Sequence, residues 1–246
     1  MAIIFSLLPF LWGEIMSILR YVQSFPHITV VGTYTDKRTV IIPPLEFGDT
    51  SQTGAFPPAE YLKYHSNSHK GENRVEEYWF SHVRFENKKR LRIDTRTATN
   101  VMAHLTFFSE DGRDILGTDF FGRWGNSVPQ PKSIDELEME NDKHWVDMLP
   151  NSSQYELDLV MKYESESVCF AFNNKNYLRP EFRTTWGRLD GKKFSVRVAL
   201  RGSNIDPQEF WFTLINHGKG GGLEIKQESK ISGLAKGKFS GKYTTA

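Results

Sequence analysis

Residues 77–86 read Glu77-Tyr78-Trp79-Phe80-Ser81-His82-Val83-Arg84-Phe85-Glu86. Successive side chains of a strand point to opposite faces. Tyr78, Phe80, His82 and Arg84 therefore share one face, and Trp79, Val83 and Phe85 the other. Aromatic and β-branched residues favour such strands. The same period recurs along the chain. Val101, Ala103, Leu105 and Phe107 alternate within 98–108, and Glu110-Asp111-Gly112 gives the turn after them. Tyr155, Leu157, Leu159, Met161 and Tyr163 read as one row, and Phe194, Val196, Val198 and Leu200 as another. Residues 210–215 and 223–225 read as the last pair, and 27–35 and 40–42 add strand character near the start. Strands of this length, with turn signals between them and few helices, predict an all-β sandwich rather than a parallel sheet.

Composition agrees with that reading. The chain has 246 residues, 39% of them hydrophobic and 25% charged, which is the profile of a folded protein. Thirty-one basic side chains face 30 acidic ones, so strong global attraction to nucleic acid is not expected. Cys169 is the single cysteine, which excludes an intrachain disulfide. Its setting, Val168-Cys169-Phe170-Ala171-Phe172, reads as core filling rather than a reactive or ligating thiol.

The N-terminal region has its own character. Residues 2–13 are almost wholly apolar, Glu14 interrupts them, and 15–22 continue apolar apart from Arg20. A run of this length approaches the roughly 20 residues that span a bilayer. A helix lying on the membrane or packed on the protein is the alternative. A signal peptide is disfavoured, because no basic region precedes the run and no small-x-small site follows it. Gly13 and Ser17 form a small-xxx-small pair that lets membrane helices approach, and Glu14 lies near that face. Arg20, Lys37 and Arg38 follow the segment, and the positive-inside rule then places the globular part in the cytoplasm. Asn151-Ser152-Ser153 is a glycosylation sequon, which matters only in a secreted chain.

The expected organisation is an anchor helix at 1–25, a sandwich at 26–228 and a polar tail at 229–246. A long irregular loop covers 45–74. One short helix is predicted after Ser133, which forms a capping box with Glu136. The acidic run 135–142 reads as its solvated face.

Val83-Arg84-Phe85-Glu86-Asn87, followed by Ala98-Thr99-Asn100-Val101 and the strand up to Phe107, resembles the CARDB-type immunoglobulin-like sandwiches of bacteria and archaea. The chain as a whole is similar to uncharacterised prokaryotic proteins that carry such a domain behind one N-terminal membrane helix. The resemblance covers about 25 residues and departs at Lys88-Lys89, where that family usually has a turn glycine. It implies an immunoglobulin-like binding or structural module and carries over no catalytic residue.

No catalytic signature stands out, and no cofactor is expected. Lys88, Lys89, Arg90, Arg92 and Arg96 form a basic loop that could meet anionic headgroups or a partner protein. A solvated loop is the alternative, and nucleic acid has no accompanying reading motif. His65 and His69 are four apart but sit among Ser and Asn, so a zinc site is not expected there. Gly218-Lys219-Gly220-Gly221-Gly222 reads as a turn between strands, since it lacks the context of a phosphate loop. Trp124 and Trp186 sit beside glycines and are candidates for stacking on a flat ligand or for sealing the core.

The leading functional expectation is a non-enzymatic, membrane-tethered module that binds another protein. The runner-up is a carbohydrate- or envelope-binding module on the outer face. A third reading is an enzyme using His65, His69, Glu72 and Glu76 around the long loop.

Overall fold

A computed structural model describes residues 13–17, 26–42, 74–88, 96–117, 120–125, 144–151, 154–174 and 185–228. They form two antiparallel sheets that share one core. The strands are β1 (Ile28–Ile42), β2 (Arg74–Asn87), β3 (Ala98–Phe108), β4 (Phe120–Phe121), β5 (Arg123–Trp124), β6 (Trp145–Met148), β7 (Tyr155–Tyr163), β8 (Cys169–Ala171), β9 (Arg188–Leu189), β10 (Lys193–Gly202), β11 (Ile205–Asn216) and β12 (Leu223–Gln227). The first sheet runs β1-β2-β7-β8-β9, with β5 also on β7. The second runs β12-β11-β10-β3-β4, with β6 also on β3.

The alternation read from the sequence sets most of the core. Val83 and Phe85 of β2 face Val101, Ala103, Leu105 and Phe107 of β3 and Phe194, Val196, Val198 and Leu200 of β10 within a single buried cluster. Each such valine, leucine or phenylalanine contributes about 1.5–3 kcal/mol by leaving water.

The row 155–163 does not stay on one face. Ser81 pairs with Val160 but His82 pairs with Asp158, so Leu159 is an extra residue in β7, a β-bulge. A bulge advances the phase of everything after it. Tyr155, Leu157 and Leu159 therefore enter the central core, whereas Met161 and Tyr163 join Tyr78, Phe80, Phe170 and Phe172 in a second cluster on the opposite face of the sheet. The same shift leaves Asp158 on the outer face and turns Lys162 inward, where it is fully buried.

Lys162 Nζ donates to Gly221 O at 2.5 Å, and burial lowers its pKa. Gly221 belongs to the glycine-rich turn joining β11 to β12, in which Gly218 and Gly220 adopt φ of 76° and 74°. Two buried asparagines tie other loops down. Asn87 accepts from His27 N and donates to Arg96 O and Met148 O, and Asn216 accepts from Gly218 N and donates to Ser167 O and Gly191 O.

The chain changes sheets at Gly122. β4 pairs with β3 in one sheet, and β5 pairs with β7 in the other. A Cβ at Gly122 would lie 2.8 Å from Leu157 Cδ1, so only glycine fits this crossing without repacking. One residue later Arg123 lands on the outer face opposite Asp158, and Trp124 points inward opposite Leu157.

Of the N-terminal segment, residues 13–17 are described as a short stretch of helix with Gly13, Glu14 and Ser17 exposed. Among the described residues no helix is long and apolar enough to cross a membrane. The expected helix after Ser133, the tail at 229–246 and most of the long loop lie outside the described residues; β2 begins at Arg74.

Candidate functional site

Four strands place one row of directly opposed residues on the outer face of the first sheet. Tyr34 of β1 faces His82 of β2, His82 faces Asp158 of β7, and Asp158 faces Arg123 of β5. Asp36 stands two residues along β1 from Tyr34, and Glu156 two residues along β7 from Asp158, so both reach the same imidazole. Asp158 Oδ1 lies 2.8 Å and Glu156 Oε1 3.4 Å from His82 Nδ1. Asp36 Oδ1 lies 2.9 Å from Nε2 on the other side of the ring.

Two aromatic rings also stack on the imidazole. Tyr34 stacks on it at 4.8 Å and Phe80 at 5.6 Å between centroids. His82 is 2% exposed and Asp158 4%, while Glu156 and Asp36 are half-buried. Each carboxylate has a second partner. Arg123 Nη1 donates to Asp158 Oδ2 at 2.5 Å, the Tyr34 hydroxyl donates to Glu156 Oε2, and Arg38 Nε donates to Asp36 Oδ2 at 2.7 Å. Arg84 Cζ lies 4.1 Å from the Tyr34 ring centroid, and its Nε is 3.6 Å from Glu156.

The electrostatics follow from these contacts. Burial alone would push the His82 pKa down. The hydrogen bond and charge of Asp158, joined by Asp36 and Glu156, outweigh it and hold the imidazole above its ordinary value. Burial works against the ionised form of Asp36 too, and His82 and Arg38 overcome it and lower its pKa. Tyr34 is pushed up to about 12, chiefly by burial and by its bond to Glu156. A protonated imidazole with both N–H groups donating to carboxylates is satisfied as a cation.

A folded pKa above the unfolded 6.5 makes this contribution to stability fully present below pH 6.5 and loses it as pH rises through the folded value. In the presence of a chelator, the urea midpoint is therefore expected to fall as pH is raised above 6.5. A midpoint that stays level through that range, or rises, would refute this assignment.

The residues singled out from the sequence lie elsewhere. Lys88 and Arg96 are exposed at the two ends of the basic loop, and Lys89, Arg90 and Arg92 lie outside the described residues. His65, His69 and Glu72 lie outside them too, and Glu76 is buried in β2. Trp124 is not available for stacking on a ligand. It is 2% exposed, packs on Phe85 and donates from Nε1 to Val101 O at 3.1 Å, so it seals the core. Trp186 is 46% exposed in a single 3-10 turn (Thr185–Gly187) and rests against Phe120. Cys169 is buried, and burial pushes its thiol up to about 12.

The histidine cluster itself was not singled out from the sequence. Its available signals were His82 and Arg84 on a face otherwise aromatic, and two acids, Glu156 and Asp158, alternating with an apolar row. Compared with known protein families, curated proteins and solved structures, the chain matches none.

Proposed function

We propose that this protein is a non-enzymatic, membrane-tethered binding module of the immunoglobulin-like CARDB type that takes up an extended segment of a partner protein. The observation that carries this reading is the edge of the first sheet. β1 runs for 15 residues, and among the described residues it pairs with β2 alone. The pairing of β7 with β2 ends at Tyr78, with one further bond from Glu164 N to Glu77 O, and residues 40–42 with 74–76 continue as a two-stranded ribbon. An open edge of this kind offers backbone donors and acceptors to an added strand. Lys37 and Arg38 on that edge, paired with Glu77 and Asp36, oppose indiscriminate pairing and leave selection to the partner's side chains. In the metal-free chain the His82 cluster fits the non-enzymatic part, because both ring nitrogens already have carboxylate partners.

The tether is carried by the apolar character of 2–22. The full chain is expected to sediment with membranes and resist carbonate extraction, whereas a chain starting at His27 stays soluble. Equal solubility of both would end the tethered reading. A photo-crosslinking residue at the exposed Thr39 tests the edge: a discrete protein adduct is expected, and crosslinking to lipid alone would count against a protein partner. The half-exposed Trp186 favours one second reading, a carbohydrate-binding surface, which would show as a shift in tryptophan fluorescence on glycan addition that Trp186→Ala abolishes.

A further inference from the structure

We propose that His82, Glu156 and Asp158 form a binding site for a divalent first-row transition ion, with zinc(II) the foremost candidate. Their ligand atoms all lie within 4.8 Å of one another. Bonds of about 2.1 Å to one ion place neighbouring ligands about 3.0–3.4 Å apart. His82 Nδ1 stands 2.8 Å from Asp158 Oδ1 and 3.4 Å from Glu156 Oε1, so small side-chain movements admit an ion between them.

The surroundings have the organisation that metal ligands need. A ligating histidine typically donates its other ring N–H to a carboxylate, and ligating carboxylates are themselves hydrogen-bonded. Asp36 accepts from His82 Nε2, which reserves Nδ1 for the ion. Tyr34 holds Glu156 Oε2 and Arg123 holds Asp158 Oδ2, which turns Oε1 and Oδ1 towards the imidazole. Every ligand thus has one atom aimed inwards and the other fixed from behind.

With the imidazole neutral, the three carboxylates supply −3, shared with the buried Arg123 and with Arg38 and Arg84, which approach Asp36 and Glu156 from the more exposed side. On binding, the ion takes the place of the Nδ1 proton. One imidazole with two carboxylates suits zinc or its neighbours, whereas calcium takes oxygen ligands alone. Three protein ligands leave a further position for water or for a donor atom of a bound partner.

The test uses the full chain, purified in detergent, stripped with chelator and titrated with zinc against a chromophoric chelator. One equivalent of zinc should bind, and calcium at the same concentration should not compete. Glu156→Gln removes an ionised ligand and should weaken binding by tenfold or more. Tyr34→Phe removes only the support behind Glu156 and should weaken it by about 10–100-fold. Both positions are half-buried, and unchanged circular dichroism would show that the variants fold. Three outcomes overturn the site: no zinc bound by folded protein at about 100 µM, zinc binding indifferent to both substitutions (which would move it to residues such as His65 and His69), or calcium competing equally.

Discussion

Asp158→Ala is expected to destabilise the fold by about 3–5 kcal/mol, read as a drop in the urea midpoint at neutral pH. Asp158 is the residue on which the two most buried cations of the outer face converge: Oδ1 faces His82 and Oδ2 faces Arg123. Its removal takes one counter-charge from a guanidinium that is 7% exposed and from an imidazole that is 2% exposed, which keeps Asp36 and Glu156. The penalty comes from leaving those buried cations with less counter-charge more than from lost attraction, since a buried ion pair in itself contributes little net stability. The double substitution Asp158→Leu with Arg123→Met removes one cation together with its partner. It should recover a substantial part of the loss. A cost below about 1 kcal/mol for Asp158→Ala would mean that water reaches the cluster and screens it as it does surface pairs.

Trp124→Ala is the second large effect, at about 3–5 kcal/mol. The indole fills the space between the sheets where the chain crosses at Gly122, packs edge-on against Phe85 at 5.8 Å, and spends its one donor on Val101 O. Alanine leaves a cavity and takes the indole donor from Val101 O. Trp186→Ala should change stability by no more than about 0.5 kcal/mol, because that ring is nearly half in solvent. Equal costs for the two tryptophans would contradict the burial described for them. The two residues look alike in sequence, each followed by a glycine with an arginine within two residues, and only the sheet crossing at Gly122 separates them.

The sandwich class was legible because the period-2 signal is local. β2, β3 and β10 need nothing beyond their own residues to sort one face from the other, and the turn at 218–222 is announced by its glycines. The candidate site was not legible. Tyr34, His82, Arg123 and Asp158 are dispersed over more than 120 residues of chain and meet only through strand register. No spacing rule within a single segment links them.

The bulge at Leu159 shows where local reading ends. By alternation alone, Met161 and Tyr163 continue the row of Tyr155 and Leu157, and Lys162 shares a face with Asp158. One extra residue against β2 reverses both assignments, sending Met161 and Tyr163 to the outer cluster and Lys162 into the core. A bulge is a property of a pair of strands, because the residue counts differ between partners. By itself, then, the sequence determined which segments are strands, which faces of β2, β3 and β10 are apolar, and that the N-terminal run differs in kind from the rest. Tertiary pairing decided that a histidine, three carboxylates and a buried arginine share one spot. Register between strands distant in sequence is set by packing of the whole core, not by any residue's neighbours along the chain.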